Sequence, residues 1–542
     1  MSRIYLVTGQ KQLFDNDTYT IIGVEESLEL LSPLTVVGLD TETEGFSPFL
    51  KKLLMLQLGN RDFQVVIDCT TVNVGLYKEY LESDRLFIGW NLKFDVKFLF
   101  YHGIIPRNLY DGFLAEKMRW LGWPSGMHSL SLKSAGENYL GVELDKSVRG
   151  QILWKKRLTD EIVEYAANDV RYLEDIMVKQ REILYARGQK LALEVENKAI
   201  LPTAYFEFCG VKLNDELWTA KMKKDEEELR QAQEELDNYI VSFYEEHKCS
   251  ADSVRIVQKS VHKRGYPSDS TISMMLDWVT DKDEEAGIRR GIDEKANEYI
   301  TETKETIVKF PFIEIAQPDL FGFTKAGPKC KVNWNSSKQV IPLLEFFGFD
   351  LMTRDKANGG MKKSVDATVI EGQKDKHPIA KVYLRFKAAQ KVTSTYGQNF
   401  RDLVNPVTGR IHTSFNQIGT DTHRYSSGGG DDKEVIPGRK VPLVNLQNLP
   451  ADAETRACFV AEKGNKWISI DYSSEESVIL ANIARDEAML DIFRNKGDLH
   501  SLVAKMVYPD ELKNVDIKDV KKVRPDLRKA AKAPELNIRL SA

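Results

Sequence analysis

The chain has 542 residues, 42% of them hydrophobic, too long for one hydrophobic core and suited to about three or four domains. Its formal net charge of −5 excludes a uniformly basic nucleic-acid coat, so contact with an anionic polymer would have to rest on locally collected cations. Five cysteines without CxxC spacing (Cys69, Cys209, Cys249, Cys330, Cys458) argue against a disulfide framework or zinc site and for a reducing cytoplasm, and no stretch approaches a membrane span.

In chain order, MSRIYLVTGQ reads as a short strand. Between about Leu34 and Gln180, TVVGLD, LLMLQLG, FQVVID and LFIGW are predicted strands alternating with helical stretches, which makes an α/β layer with polar groups at strand ends. In TVVGLDTETEG, period-two alternation puts Asp40 and Glu42 on one side of a strand. LFIGWNLKFDVKFL predicts a strand entering a helix, with Asn91 and Asp95 at i,i+4 on one face and Phe94 and Phe98 toward the core. EIVEYAANDVRYL predicts a helix that aligns Tyr165 with Asp169 at the same spacing.

Alone, D-x-E is often turn chemistry and Y-x-x-x-D often a solvated helix face. Together the acids match what phosphodiester hydrolysis needs, namely oxygen ligands for two hard cations, magnesium or manganese, about 4 Å apart. The ordered set DxE, NxxxD, YxxxD resembles the DEDD 3'-5' exonuclease family in its tyrosine-bearing branch, which implies a ribonuclease H-like fold. By that resemblance Asp40, Glu42, Asp95 and Asp169 would hold two Mg2+ ions and Tyr165 would position the attacking water. Asp111, in LYDGFLAEK, would support the site or simply cap a helix.

From Ile176 to about Glu246 the sequence predicts long charged helices, of which KMKKDEEELRQAQEELDNYI is the clearest. Residues of roughly 247 to 330 are charged, lack clear strand signals, and read as an insertion. Helices follow near Ser336 to Phe347 and Ala380 to Tyr396, and short strands and turns from Gly409. Ser426 to Gly430 looks the most flexible point. In KWISIDYSSEESVILANIARD, Ile468 and Ile470 are expected on the buried face of a strand that delivers Asp471 at its end, before a helix begins at SEES.

From about Tyr205 to Ala533 the chain resembles family A DNA polymerases, of the kind related to bacterial DNA polymerase I, through FEFCGVKLN, VNWNSSKQV, AQKVTSTYGQNF, TDTHRYSS, NLQNLP and WISIDYSSEES. The resemblance implies that Asp471 is the first palm carboxylate binding metal, with the backbone around Tyr472 adding an oxygen. Glu476 would exclude a ribose 2'-hydroxyl. Arg424, Gln447 and Asn448 would read minor-groove acceptors at the primer end, and Lys391 would touch phosphate. Arg456 and His500 would line the nucleotide pocket, and Arg528 and Lys532 would face an incoming triphosphate. Glu475 and Val478 depart from the family's residues there.

The match is expected to stop within the fingers: Leu536 and Leu540 stand where aromatic residues belong, and the second palm carboxylate is missing. A phage-like polymerase without a 5' nuclease domain is implied, in a bacterial or phage-infected cell, with DNA and dNTPs as ligands. A processivity factor at the insertion, or a second chain completing palm and fingers, would be further partners; the insertion could equally be a surface elaboration. Poor primer extension by this chain alone is expected. The domains would be an exonuclease at 1–190, a thumb at 191–400, a partial palm at 401–490 and the start of fingers at 491–542. The alternative is a stand-alone 3'-5' exonuclease with a DNA-binding C-terminal module.

Overall fold

The computed structural model describes residues 3–246, 313–315 and 328–531, apart from gaps at 12, 14, 124–126, 145–157, 355–359, 421, 429–432, 437–438, 442–444, 473 and 496. The insertion read at 247–330 therefore lies almost wholly outside the described residues. The exceptions, Ile313–Ile315 and Pro328–Cys330, form an antiparallel strand pair that the charged stretch did not signal. The chain divides into two compact units, Met1–Val460 and Ala461–Ala542. No helix among the described residues is long and apolar enough to cross a membrane.

The first unit opens with β1 (Arg3–Val7), β2 (Thr20–Ile21) and α1 (Val24–Leu31), then β3 (Val36–Thr43), β4 (Leu53–Gly59) and β5 (Phe63–Asp68). After these come β6 (Leu86–Gly89), α2 (Lys93–Tyr101), β7 (Asn108–Asp111), α3 (Gly112–Arg119), α4 (Leu132–Leu140), α5 (Asp160–Arg171) and α6 (Leu173–Ala186). Seven strands form one sheet in the order β2-β1-β5-β4-β3-β6-β7, with β4 antiparallel to both its neighbours and the other pairs parallel. All four strands expected between Leu34 and Trp90 are present.

Strand alternation sorts the apolar residues onto two faces. Val37, Leu39, Leu56, Leu58, Val65 and Ile67 pack with Val96, Phe98 and Leu99 of α2 on one side. On the other, Ile4, Met55 and Val66 meet Ile162, Val163, Tyr165, Ala166 and Ala167 of α5. Each large apolar side chain buried this way contributes about 1.5–3 kcal/mol. The functional consequence is that α5 lies across the face of β3 that carries Asp40 and Glu42.

Beyond α7 (Lys190–Cys209) and β8 (Val211–Leu213), the long α8 (Asp215–Glu246) packs on α9 (Ser337–Phe346) and α10 (Ile379–Tyr396). Ala232, Leu236 and Ile240 of α8 meet Leu343, Leu344, Tyr383 and Phe386 in that core. The strand β8 pairs antiparallel with both β9 (Arg410–Ile411) and β12 (Phe459–Val460). Between them β10 (Phe415–Asn416) and β11 (Ser426–Ser427) form a hairpin. Ser426 and Ser427, expected at the most flexible point, are thus corrected to paired strand, with Ser427 buried; Gly429 and Gly430 lie outside the described residues.

The second unit holds α11 (Glu475–Ala484), α12 (Glu487–Arg494), α13 (Leu499–Val507) and a helical turn at 525–531. Its core gathers Ala504, Leu512, Val520 and Ala531. The expected WISID strand is corrected as well: residues 467–472 have no regular structure, and Ile468 and Ile470 are 80% and 87% exposed. Alternation can bury a strand face only where a partner strand exists, and none among the described residues pairs with this segment.

Candidate functional site

The site begins with β3. Asp40 and Glu42 project from the same strand face, and α5 brings Asp169 to them, so that carboxylate oxygens of Asp40, Glu42 and Asp169 all lie within 4.8 Å of one another. Gly38 makes this approach possible. A Cβ built there would stand 2.6 Å from the Val170 backbone oxygen of α5, so only glycine lets the helix close on the strand beside Asp169. Tyr165 sits one turn before Asp169 on α5 and is buried in the α5–sheet core.

The three acids are half-buried, within reach of solvent. Three converging carboxylates repel one another, and clustered hard oxygen donors of this kind fit a hard divalent cation. Three of the four expected ligands are therefore brought together.

Asp95 is placed differently. It is buried on α2, where the Thr41 hydroxyl donates to its Oδ1 at 2.5 Å. Burial pushes its carboxyl up to about 7, against the Thr41 hydrogen bond that favours the ionised form, with the charge of Asp111 adding to the rise. A cation nearby would reverse that balance. Asp95 does not belong to the three-acid cluster, although Thr41 ties it to the strand that carries two of the cluster's members.

Asn91 is corrected from its expected place. It precedes α2 in a left-handed turn with φ 64°, a conformation asparagine tolerates, so it does not share a helical face with Asp95. Asp111 explains the turn. Its Oδ1 accepts from the Asn91 and Phe113 amides at 2.9 Å each and its Oδ2 from Leu92 at 3.0 Å, so it starts α3 and fixes the entry to α2 together. Burial still pushes its carboxyl up to about 6.

The expected DNA-contacting residues lie further along the first unit. Arg424 is exposed in the loop between β10 and β11, and Gln447 and Asn448 are exposed on the 3-10 turn Leu446–Asn448. The Leu446 amide donates to Ser427 Oγ at 3.2 Å, which sets that turn against the Arg424 hairpin. Lys391 is exposed on α10.

In the second unit Asp471, Tyr472 and Glu476 are exposed and His500 is half-buried on α13. Arg528 is engaged by Asp498, its Nε and Nη2 lying 2.5 and 3.0 Å from the two carboxylate oxygens. Lys532 lies outside the described residues. Sequence reasoning missed Gly38 and Thr41, whose positions in the D-T-E strand were the available signal. It also missed Lys93, Lys97 and Glu207, which carry no motif.

Residues 17–184 match the 3'-5' exonuclease family and residues 323–536 match DNA polymerase family A. The chain is 25% identical to DNA polymerase I of Aquifex aeolicus over 90% of this chain and 66% of that one. It is 36% identical to DNA polymerase I of Caldicellulosiruptor bescii over 38% of this chain, and spans 22% of that relative's length. In structure it is similar to the polymerase domain of Pol1 from M. smegmatis in complex with DNA primer-template and dNTP, at a TM-score of 0.58 and 18% identity, covering 95% of this chain and 69% of that one. The strand and helix that carry Asp40, Glu42 and Asp169 fall inside the exonuclease match, and the Arg424 hairpin falls inside the polymerase match. The chain thus carries a region that matches the 3'-5' exonuclease family ahead of a region that matches DNA polymerase family A.

Proposed function

We propose that this chain removes nucleotides from DNA 3' ends as the proofreading part of a family A DNA polymerase acting in replication or repair, with DNA and dNTPs as its ligands. The observation that carries this reading is the convergence of Asp40, Glu42 and Asp169 within 4.8 Å inside the exonuclease match. Magnesium or manganese held there, by these three and Asp95, would neutralise phosphate charge and ease deprotonation of a bound water.

The chain's own groups do the rest. Tyr165, buried one turn from Asp169, would orient the attacking water, and Thr41 holds Asp95 against β3. In the polymerase region Arg424, Gln447 and Asn448 would contact the primer duplex. Asp471, Tyr472, Glu476, His500, Arg528 and Lys532 would serve the nucleotide. Domain divisions near residues 190, 400 and 490 belong to the same proposal. The rival reading, a stand-alone exonuclease with a DNA-binding module, leaves the polymerase-family match over 323–536 without a role.

The test is digestion of a 5'-labelled single-stranded oligonucleotide by the purified chain. Stepwise shortening that requires magnesium and stops with chelator is expected. Asp40→Ala should lower the rate by roughly 10²–10³-fold or more, the scale of losing preorganised electrostatics at a reacting phosphate. Chelator-insensitive digestion, or an Asp40→Ala variant as active as wild type, overturns the proposal.

A further inference from the structure

Away from the three acids, the exonuclease fold is fastened to the Arg424 hairpin by a buried ionic cluster centred on α7. Glu207, near the end of α7, is 3% exposed. The Lys93 ammonium lies 2.7 Å from its Oε1 and the Lys97 ammonium 2.5 Å from its Oε2. Both lysines belong to α2, one turn apart, with Asp95 midway between them. Glu207 Oε1 also accepts from the Phe415 amide of β10 at 2.6 Å, and Lys93 donates to the Phe415 carbonyl at 2.6 Å. One carboxylate thus joins the exonuclease helix, the connecting helix and the first strand of the hairpin.

The rest of the hairpin is held from the same side. Lys117 of α3 donates to the Gln417 carbonyl at 2.9 Å, and the Gln417 side-chain amide donates to Glu196 Oε2 of α7 at 2.7 Å. The Tyr425 and Thr203 hydroxyls are 2.8 Å apart. Between these anchors Ile418 is held at φ 49°, a conformation costly for a β-branched residue and sustained only where the surroundings over-determine it. The loop is closed by the Gly419 amide on the Arg424 carbonyl at 2.9 Å and by the Arg424 amide on Thr420 Oγ1 at 3.0 Å.

We propose that Glu207 is a positioning residue that locks the helix bearing Asp95 to the hairpin bearing Arg424, so that gripping a primer duplex and presenting its 3' end for editing are one mechanical event. The proposal rests on the exonuclease reading above. A carboxylate bridging two lysines and a backbone amide has no neutral equivalent, because an amide in its place takes this counter-charge from two ammonium groups whose side chains are only 14% and 16% exposed. Loosening it would let the hairpin shift against α2 without touching the three-acid cluster. Duplex-borne 3' ends would then suffer more than single strands, which need no grip from the hairpin.

Two measurements on the full chain test this. The first is anisotropy of a labelled primer-template with a mismatched 3' end, in chelator so that no hydrolysis occurs. The second compares kcat and KM for digesting that substrate and a single-stranded oligonucleotide in magnesium. For Glu207→Gln, Kd and KM for the mismatched duplex should rise by about tenfold, and the loss on single strands should be smaller by at least about fivefold. Lys117→Met, which removes a hairpin anchor and leaves the Glu207 bridge in place, should shift the duplex in the same direction by a smaller factor, and it carries the test alone if Glu207→Gln lacks a cooperative melt. Equal losses on both substrates, or no loss on the duplex, overturn the proposal. If wild type digests neither substrate the exonuclease reading fails, and anisotropy still decides the lock: Glu207→Gln must weaken duplex binding as Arg424→Ala does, or the lock is rejected.

Discussion

Gln57, on β4 directly opposite Asp40, is fully buried, and neither atom of its side-chain amide has a hydrogen-bond partner among the described residues. Leaving such a group unsatisfied costs about 1–3 kcal/mol, so Gln57→Met, similar in volume, should raise the thermal midpoint. A midpoint that falls would show that the amide is satisfied in solution. Glu207 makes the opposite case. Burial alone would raise its carboxyl, yet the Lys97 and Lys93 ammonium groups more than offset that and hold it below the usual carboxylate range. A depressed carboxyl contributes stability that is present above its unfolded value, about 4.3, and is lost as pH falls through the folded one. The urea midpoint of wild type should therefore exceed that of Glu207→Gln at pH 7 by a margin that narrows in acid. His412, against the Glu207 carbonyl, is shared by both proteins and cancels. A margin constant down to acid pH sinks the ion-pair account. At this scale the sequence was readable where placement follows local periodicity, as with Asp40 and Glu42 on one strand face and Tyr165 one turn before Asp169. It was silent where chemistry is made by distant partners, as with Gln57 and Glu207, and misleading at Asn91, whose turn is fixed by an acid on another strand.

Among the elements, the contact between β3 and α5 decides whether a cluster exists at all. Gly38 admits the Val170 carbonyl to a distance no side chain tolerates, so Gly38→Ala must displace the helix or bend the strand. Overpacking of this kind costs about 1–3 kcal/mol. The displacement falls on Asp169, the neighbour of Val170, so magnesium-dependent digestion should drop more than the loss of stability explains, by about tenfold for a shift near 1 Å. Gly23→Ala is the control, since a Cβ there meets nothing within 4 Å, and it should leave both stability and digestion alone. Equal activity for the two variants would show that the strand and helix adjust without consequence for the acids. The strands and helices themselves were legible because apolar period and burial agree in them. The hairpin strand at Ser426–Ser427 was not, because two serines beside glycines carry no apolar pattern and become a strand only by pairing with Phe415–Asn416.

On the scale of the molecule, long-range pairing is what single-sequence reading could not supply. Val211–Leu213 pairs with Arg410–Ile411 and with Phe459–Val460, so segments assigned to thumb and palm share one small sheet in the first unit. The same reasoning sets an expectation for residues 467–472 in the second unit. An apolar alternation is stabilising only if a partner strand receives it, and Trp467, Ile468, Ile470 and Tyr472 are instead 57%, 80%, 87% and 78% exposed. Removing an exposed side chain forfeits little, so Ile468→Ser and Ile470→Ser should change unfolding free energy by less than about 0.5 kcal/mol. A buried reference such as Leu58→Ala should cost about 2–5 kcal/mol. Chemical denaturation of the three variants gives the comparison. Losses near the buried reference for either isoleucine would mean that this segment is packed as a strand after all, with Asp471 delivered at its end as the sequence pattern implied. Losses near zero would leave Asp471 on an exposed segment, with its neighbours free to change without cost to the fold.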